Sequence, residues 1–146
     1  MTIRKLLALI ALPFATLAAQ NASTAPGIVG DHVIPNFRFA SGETLPELRI
    51  HYRTFGTPRR DASGVVRNAI LIMHGTTGAG TQFLSPVFAN ELYRAGQPLD
   101  TTVYYIILPD GIGHGLSSRP SEGLHARFPH YNYDDMVEAD HRLLTE

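Results

Sequence analysis

Ala69-Ile70-Leu71-Ile72-Met73-His74-Gly75-Thr76-Thr77-Gly78 is an apolar run that breaks without transition into a small, polar turn. A strand covered on both faces reads as a continuous hydrophobic run rather than as an alternation, so residues 69–73 predict a central strand of a parallel sheet. Val103-Tyr104-Tyr105-Ile106-Ile107-Leu108 is β-branched and aromatic, ends in Pro109-Asp110, and predicts a second such strand. It delivers Asp110-Gly111-Ile112-Gly113-His114-Gly115-Leu116-Ser117. Both are strand-to-loop junctions, the places where open α/β sheets gather the groups that handle ligands.

Working outward, Phe37-Arg38-Phe39 and Leu48-Arg49-Ile50-His51-Tyr52-Arg53 alternate apolar and polar residues around Ser41-Gly42-Glu43. That pattern predicts an antiparallel hairpin with one buried face, at the leading edge of the sheet. Residues 56–64, with Pro58, Asp61 and Ser63, form a polar connection. Between the two apolar strands, Ser85-Pro86 followed by Val87, Phe88 and Leu92, with Gly96 and Pro98 beyond, predicts a helix over 86–95 capped by Ser85. Asn132, with Asp134 and Asp135 in a positive first turn and Met136, Val137, Leu143 and Leu144 behind, predicts a closing helix. Hairpin, strand, helix, strand, loop, helix is an α/β order.

The 146 residues suffice for one modest domain and not for two. Twelve basic and thirteen acidic residues leave a net charge of −1, with no basic run to follow a phosphate backbone, so nucleic acid is not an expected partner. The absence of cysteine removes disulfides, thiolate metal sites and a cysteine nucleophile. The seven histidines include no pair at helical i, i+4 spacing with an intervening glutamate, so no metal and no cofactor are expected. Arg4-Lys5, the apolar Leu6 to Leu12, and small residues at Ala15-Thr16-Leu17-Ala18-Ala19 have the three-part layout of a secretory signal peptide. The run is too short to span a bilayer, so the expectation is a periplasmic or secreted protein with no membrane association beyond the signal. The expected organisation is a signal peptide over 1–19, a flexible leader over 20–35, rich in small residues, and one domain over 36–146.

At this point the chain resembles the α/β-hydrolase superfamily and, within it, the homoserine O-acetyltransferase-like branch. Leu45-Pro46-Glu47-Leu48-Arg49-Ile50-His51-Tyr52-Arg53-Thr54-Phe55-Gly56 is similar to that branch's second-strand segment, and Asn68 to Gly78 to its next strand with a His-x-x-Thr-Gly turn. Leu99 to Ile107, and Arg127 to His130 with Asp135-Met136-Val137, are similar to later segments, so the resemblance covers nearly all of residues 36–146. One departure stands out. Where the acetyltransferases carry an asparagine and glycine-serine-rich loop, this chain has Asp110-x-x-Gly113-x-Gly115-x-Ser117, a pattern of hydrolases in the wider superfamily.

The resemblance implies the N-terminal half of an α/β-hydrolase fold, with an incomplete sheet, and an ester or amide hydrolase in preference to an acyltransferase. In such enzymes the turn after the third strand supplies one backbone N–H of the oxyanion hole. Thr76 is the first choice for that donor and Thr77 the second. His74 is expected to brace the turn rather than act as general base, and His114 to be a loop residue whose ring packs or hydrogen-bonds locally. Gly75, Gly78, Gly113 and Gly115 with Asp110 and Ser117 shape the loops. No serine here stands in a Gly-x-Ser-x-Gly elbow, so the triad is not encoded in these residues and the chain alone is expected to be inactive. Strand 69–73 should then be an exposed edge, open to self-association or a partner strand. The expected small-molecule partner, once a triad is supplied, is an acyl ester. A non-catalytic module binding an acyl ligand or a protein is the alternative.

Overall fold

The computed structural model describes residues 27–146, so the signal segment lies outside the described residues. Four strands form one mixed sheet: β1 (Ile28–Arg38), β2 (Thr44–Phe55), β3 (Ala69–Leu71) and β4 (Tyr105–Pro109), in spatial order β1-β2-β4-β3. β1 and β2 are antiparallel, β2 and β4 are antiparallel, and β3 runs parallel to β4. Helix α1 (Pro86–Leu92) carries the chain from β3 back to β4, and α2 (Tyr133–Thr145) follows the long loop after β4.

The hairpin is where the prediction placed it but longer. Residues 28–35 are not a flexible leader: they pair in register with β2 from Ile28 opposite Thr54 to Pro35 opposite Glu47. The glycines that suggested a loop mark close packing instead. A Cβ on Gly27 would sit 2.6 Å from the Thr54 carbonyl oxygen, and one on Gly30 would meet the Tyr52 hydroxyl at 2.7 Å. Pro35 is tolerated because β1 is an edge, where a missing N–H goes unnoticed.

The two helices cover opposite faces. Ile50 and Phe55 are an odd number of residues apart on β2 and therefore point to opposite sides. On the Ile50 side, Ile34, Phe37 and Leu48 pack with Ile112, Phe128 and Ala139 of the loop and α2. On the Phe55 side, Ile106 and Leu108 pack with Ala89 and Tyr93 of the α1 region, the Phe55 and Tyr93 rings stacking at 5.9 Å. Helix α1 is shorter than expected, and Ser85 sits at its N-cap position without any side-chain cap bond. Leu99 N–H returns to the Leu92 carbonyl instead, and Asp100 ties Gly96 to Thr102, so tertiary hydrogen bonds replace the last turn.

Strand β4 begins later than predicted, because Val103 and Tyr104 donate their N–H groups to the Asp100 carbonyl and complete a turn. Strand β3 is shorter and less covered than predicted. Ala69 is exposed and Ile70 and Leu71 are half-buried, since among the described residues β3 has a neighbour on one side only. At α2 the capping box forms in full: Asn132 Oδ1 accepts from Asp134 and Asp135 N–H, and Asp135 Oδ2 accepts from Asn132 N–H at 2.9 Å. The other Asp135 oxygen accepts from Ala40 N–H at 2.7 Å, which locks the helix start to the hairpin tip.

Candidate functional site

Because β3 and β4 are parallel, their C-terminal ends emerge side by side, and the two loops singled out by sequence meet. Gly78 N–H donates to the Gly75 carbonyl at 2.9 Å, closing a β-turn with Thr76 and Thr77 at its centre. Thr77 is not among the non-glycine residues with positive φ, so the turn is not type II, whose third residue needs a left-handed φ. Both threonines are exposed, and no hydrogen bond among the described residues takes either N–H.

His74 ties the turn to the β4 loop. Its Nε2 accepts from Gly111 N–H at 2.9 Å, which leaves the proton on Nδ1, and Nδ1 donates to the Gly75 carbonyl at 2.7 Å. The ring of His114 stands 5.1 Å from that of His74. His114 stands between two carbonyls: Nδ1 lies 3.0 Å from that of Ile112 in its own loop, and Nε2 reaches across to the other loop and contacts that of Thr76. The contact with Thr76, made across the space between β3 and β4, adds to the local role expected of this histidine.

Asp110 is buried and uses both carboxylate oxygens: Oδ1 accepts from Gly80 N–H at 2.6 Å and Oδ2 from Leu116 N–H at 2.8 Å. It thus holds the chain after the 75–78 turn and its own loop at once. Ser117, fully buried, donates from Oγ to the Asp110 carbonyl at 2.6 Å and accepts from His51 N–H at 2.8 Å. Ser118 repeats the pattern on Arg49, donating N–H to its carbonyl and accepting its N–H on Oγ. Beyond its pairing with β4, the edge of β2 is therefore capped by serine hydroxyls in place of a strand. Gly113, at φ +84, lies against the Tyr131 hydroxyl, and Gly115, at φ +52, lies against the Asp110 carboxylate, so neither position has room for a side chain.

From α2, Asp140 faces this region without a hydrogen bond among the described residues. Burial pushes its carboxyl up to about 6. Sequence reasoning singled out Gly80 as a small residue of the turn but did not find Ser118 or Asp140. Ser118 could have been suspected from its place beside Ser117, whereas the setting of Asp140 is one that only folding supplies. Among the described residues no group of three His, Cys, Asp or Glu side chains could hold a metal ion. A cavity of about 800 Å³ opens elsewhere, on the sheet face between residues 58–66 and the end of α2, away from the histidine pair.

The geometry is that of a sheet whose third and fourth strands present a bare-amide turn beside a pinned glycine loop. The chain is 32% identical to a homoserine O-acetyltransferase of Acidiphilium cryptum over 90% of its own length. Its fold superimposes on an acetylester hydrolase from Corynebacterium glutamicum with a TM-score of 0.67 and 26% identity over 80% of the chain.

The chain belongs to the α/β-hydrolase superfamily, in its homoserine O-acetyltransferase-like branch.

A probable acyltransferase of Methanothermobacter thermautotrophicus is also 32% identical, over 77% of the chain. The acetyl esterase MekB superimposes with a TM-score of 0.67 and 27% identity over 82% of the chain. No family model matches. The chain spans about a third of the length of these relatives: 35% of the Acidiphilium protein and 34% of the Methanothermobacter protein. The structural neighbours are covered to the same extent, 32% and 33%, so the four strands correspond to part of the α/β-hydrolase fold.

Proposed function

We propose that the turn at residues 75–78 is the oxyanion cradle of an exported ester hydrolase whose nucleophile is supplied outside the 146 residues. The observation that carries this reading is the pair of free, exposed Thr76 and Thr77 N–H groups on a turn pinned at both carbonyls beside the β4 loop. When a nucleophile attacks an ester carbonyl, negative charge collects on its oxygen, and an N–H held in place beforehand gains strength as that charge grows. One such donor contributes about 3 kcal/mol to the transition state. Thr76 is the first choice for that donor and Thr77 the second choice.

Hydrolysis rather than acyl transfer is supported by the Asp110 to Ser117 loop and by the acetylester hydrolase and acetyl esterase among the structural neighbours. A short acyl ester is the substrate class that follows. The competing reading, acetyl transfer, is supported by the acetyltransferases among the sequence relatives. Export rests on the layout of residues 1–19, and N-terminal sequencing of periplasmic protein should begin just after Ala18 or Ala19.

The test is made on the longest natural reading frame containing these residues, comparing hydrolysis of p-nitrophenyl acetate with acetyl transfer from acetyl-coenzyme A to homoserine. Thr76→Pro removes the N–H at a turn position that suits proline, so it isolates the donor. Hydrolysis should dominate, and the variant should lose about 10²–10³-fold in kcat. Dominant transfer would favour the acetyltransferase reading, and an unchanged kcat in the variant would remove the cradle altogether. The 146-residue chain by itself should show no phosphonate-sensitive turnover, since losing nucleophile and base together costs on the order of 10⁶ in rate.

A further inference from the structure

Each of the two unpaired amides on the turn belongs to a peptide unit whose carbonyl is gripped by an imidazole. A trans peptide is planar, with N–H and C=O pointing in opposite directions, so fixing the oxygen aims the hydrogen. The Thr76 N–H shares its peptide with the Gly75 carbonyl, which receives His74 Nδ1 at 2.7 Å and Gly78 N–H at 2.9 Å. The Thr77 N–H shares its peptide with the Thr76 carbonyl, which receives His114 Nε2.

The second grip matters more. The Thr76–Thr77 peptide is the central one of the β-turn, and type I and type II turns differ chiefly by rotation of that unit through roughly half a revolution. Gly78 N–H bonding to Gly75 is compatible with either form and cannot choose between them. Thr77 resists the flipped form because a β-branched side chain is strained at positive φ. His114 adds a hydrogen bond that exists in one orientation only. It sits between Gly113 and Gly115, both at positive φ, which lets the backbone curl tightly around it. Its ring also packs against that of His74, so the two imidazoles form one unit.

We propose that His114 is a positioning residue for the turn: by donating from Nε2 to the Thr76 carbonyl it holds the central peptide in one orientation and aims the Thr77 N–H outward. Its functional meaning rests on the oxyanion reading above, but its structural content does not. A carbonyl only accepts, so the bond requires a proton on Nε2. The Ile112 carbonyl at Nδ1 competes for that proton, and a neutral ring can satisfy only one of the two.

The experiment uses the full chain labelled with ¹⁵N. Long-range ¹H–¹⁵N spectra of the wild type report the His114 tautomer, and a protonated Nε2 is expected. A bare Nε2 would overturn the proposal without any substitution being made. Amide spectra are then compared for wild type, His114→Phe and His114→Gln. Phenylalanine keeps a ring against His74 but has no donor, whereas glutamine keeps an N–H. The Phe variant should shift and broaden the Thr77 amide, and Gln should restore it in part. A Thr77 amide unmoved by Phe, or disturbed equally by Phe and Gln, would refute the positioning role. Titration with sodium acetate separates this from the oxyanion reading. Thr76 and Thr77 amides that ignore acetate in the wild type count against the cradle, while the tautomer and the Phe–Gln comparison still decide the role of His114.

Discussion

Gly115→Ala and Gly42→Ala place the same methyl group at two left-handed positions with opposite surroundings. Gly42, at φ +88, has nothing within 4 Å of where its Cβ would stand, so its variant carries backbone strain alone. A left-handed L-residue costs about 1–2 kcal/mol, and the stiffer unfolded chain returns about 0.4–1 kcal/mol, leaving a net loss of about 1 kcal/mol. Gly115, at φ +52, lies closer to the left-handed minimum, so its backbone strain is no larger. Its methyl, however, would stand 1.9 Å from Asp110 Oδ2 and 2.2 Å from its Cγ. The carboxylate must retreat by about 1 Å or more to reach even the 3.0 Å limit for a Cβ. That oxygen holds Leu116 N–H at 2.8 Å, while its partner oxygen holds Gly80 N–H at 2.6 Å. Losing one hydrogen bond to a charged group costs about 1.5–3 kcal/mol, so the expected loss for Gly115→Ala is about 2.5–4 kcal/mol. Urea denaturation followed by far-UV circular dichroism measures both variants. With a slope of about 1–3 kcal/mol per molar, their midpoints should differ by roughly 1 M. In amide spectra, Leu116 and Gly80 should move in Gly115→Ala and stay put in Gly42→Ala. Stabilities within about 0.5 kcal/mol of each other, the scatter of ordinary surface changes, would refute the assignment of Asp110 as the pin between the loops.

Three further outcomes are expected. The Asp140 carboxyl is raised from 3.8 to about 6 by burial, so the folded state binds its proton more tightly than the unfolded one and this group favours folding only at low pH. Stability should fall as pH rises from about 4 to 6, and Asp140→Asn should gain about 1–2 kcal/mol at pH 7 after discounting for solvent, with no gain below about pH 4; equal effects at both pH values in thermal melts would contradict this. Asn132→Ala removes the acceptor for Asp134 and Asp135 N–H and should cost about 1–2 kcal/mol in the same assay, while a neutral result would mean the cap is replaced by solvent. We also propose that the free side of β3 drives association, because unpaired N–H and C=O groups beside half-buried Ile70 and Leu71 template a further strand. Sedimentation velocity should find oligomers, and a compact monomer at all concentrations would dispose of that idea.

Most element positions were legible from local pattern. Continuous apolar runs marked β3 and β4, alternation marked the hairpin, and Asn132 with Asp135 marked the start of α2. The misreadings share one cause. Residues 27–35 carry two glycines and a proline that locally signal a loop, yet pairing with β2 outweighs that signal, and the glycines prove to be points of close contact with β2 side chains. Likewise α1 ends early because tertiary bonds from Leu99 and Asp100 outcompete its last turn.

At the candidate site the sequence by itself determined the inventory: a small-residue turn after one strand, a glycine loop with Asp110 and Ser117 after another, and no elbow serine. These follow from near-neighbour chemistry, which a linear pattern records. Only the tertiary structure decided who holds whom. His114 reaches Thr76 and Asp110 reaches Gly80 because the parallel register of β3 and β4 brings two loops, some thirty to forty residues apart in sequence, within hydrogen-bond distance. Hydrogen bonds act over a few ångströms of space and are indifferent to separation along the chain, so their partners become readable only once the sheet has set its register.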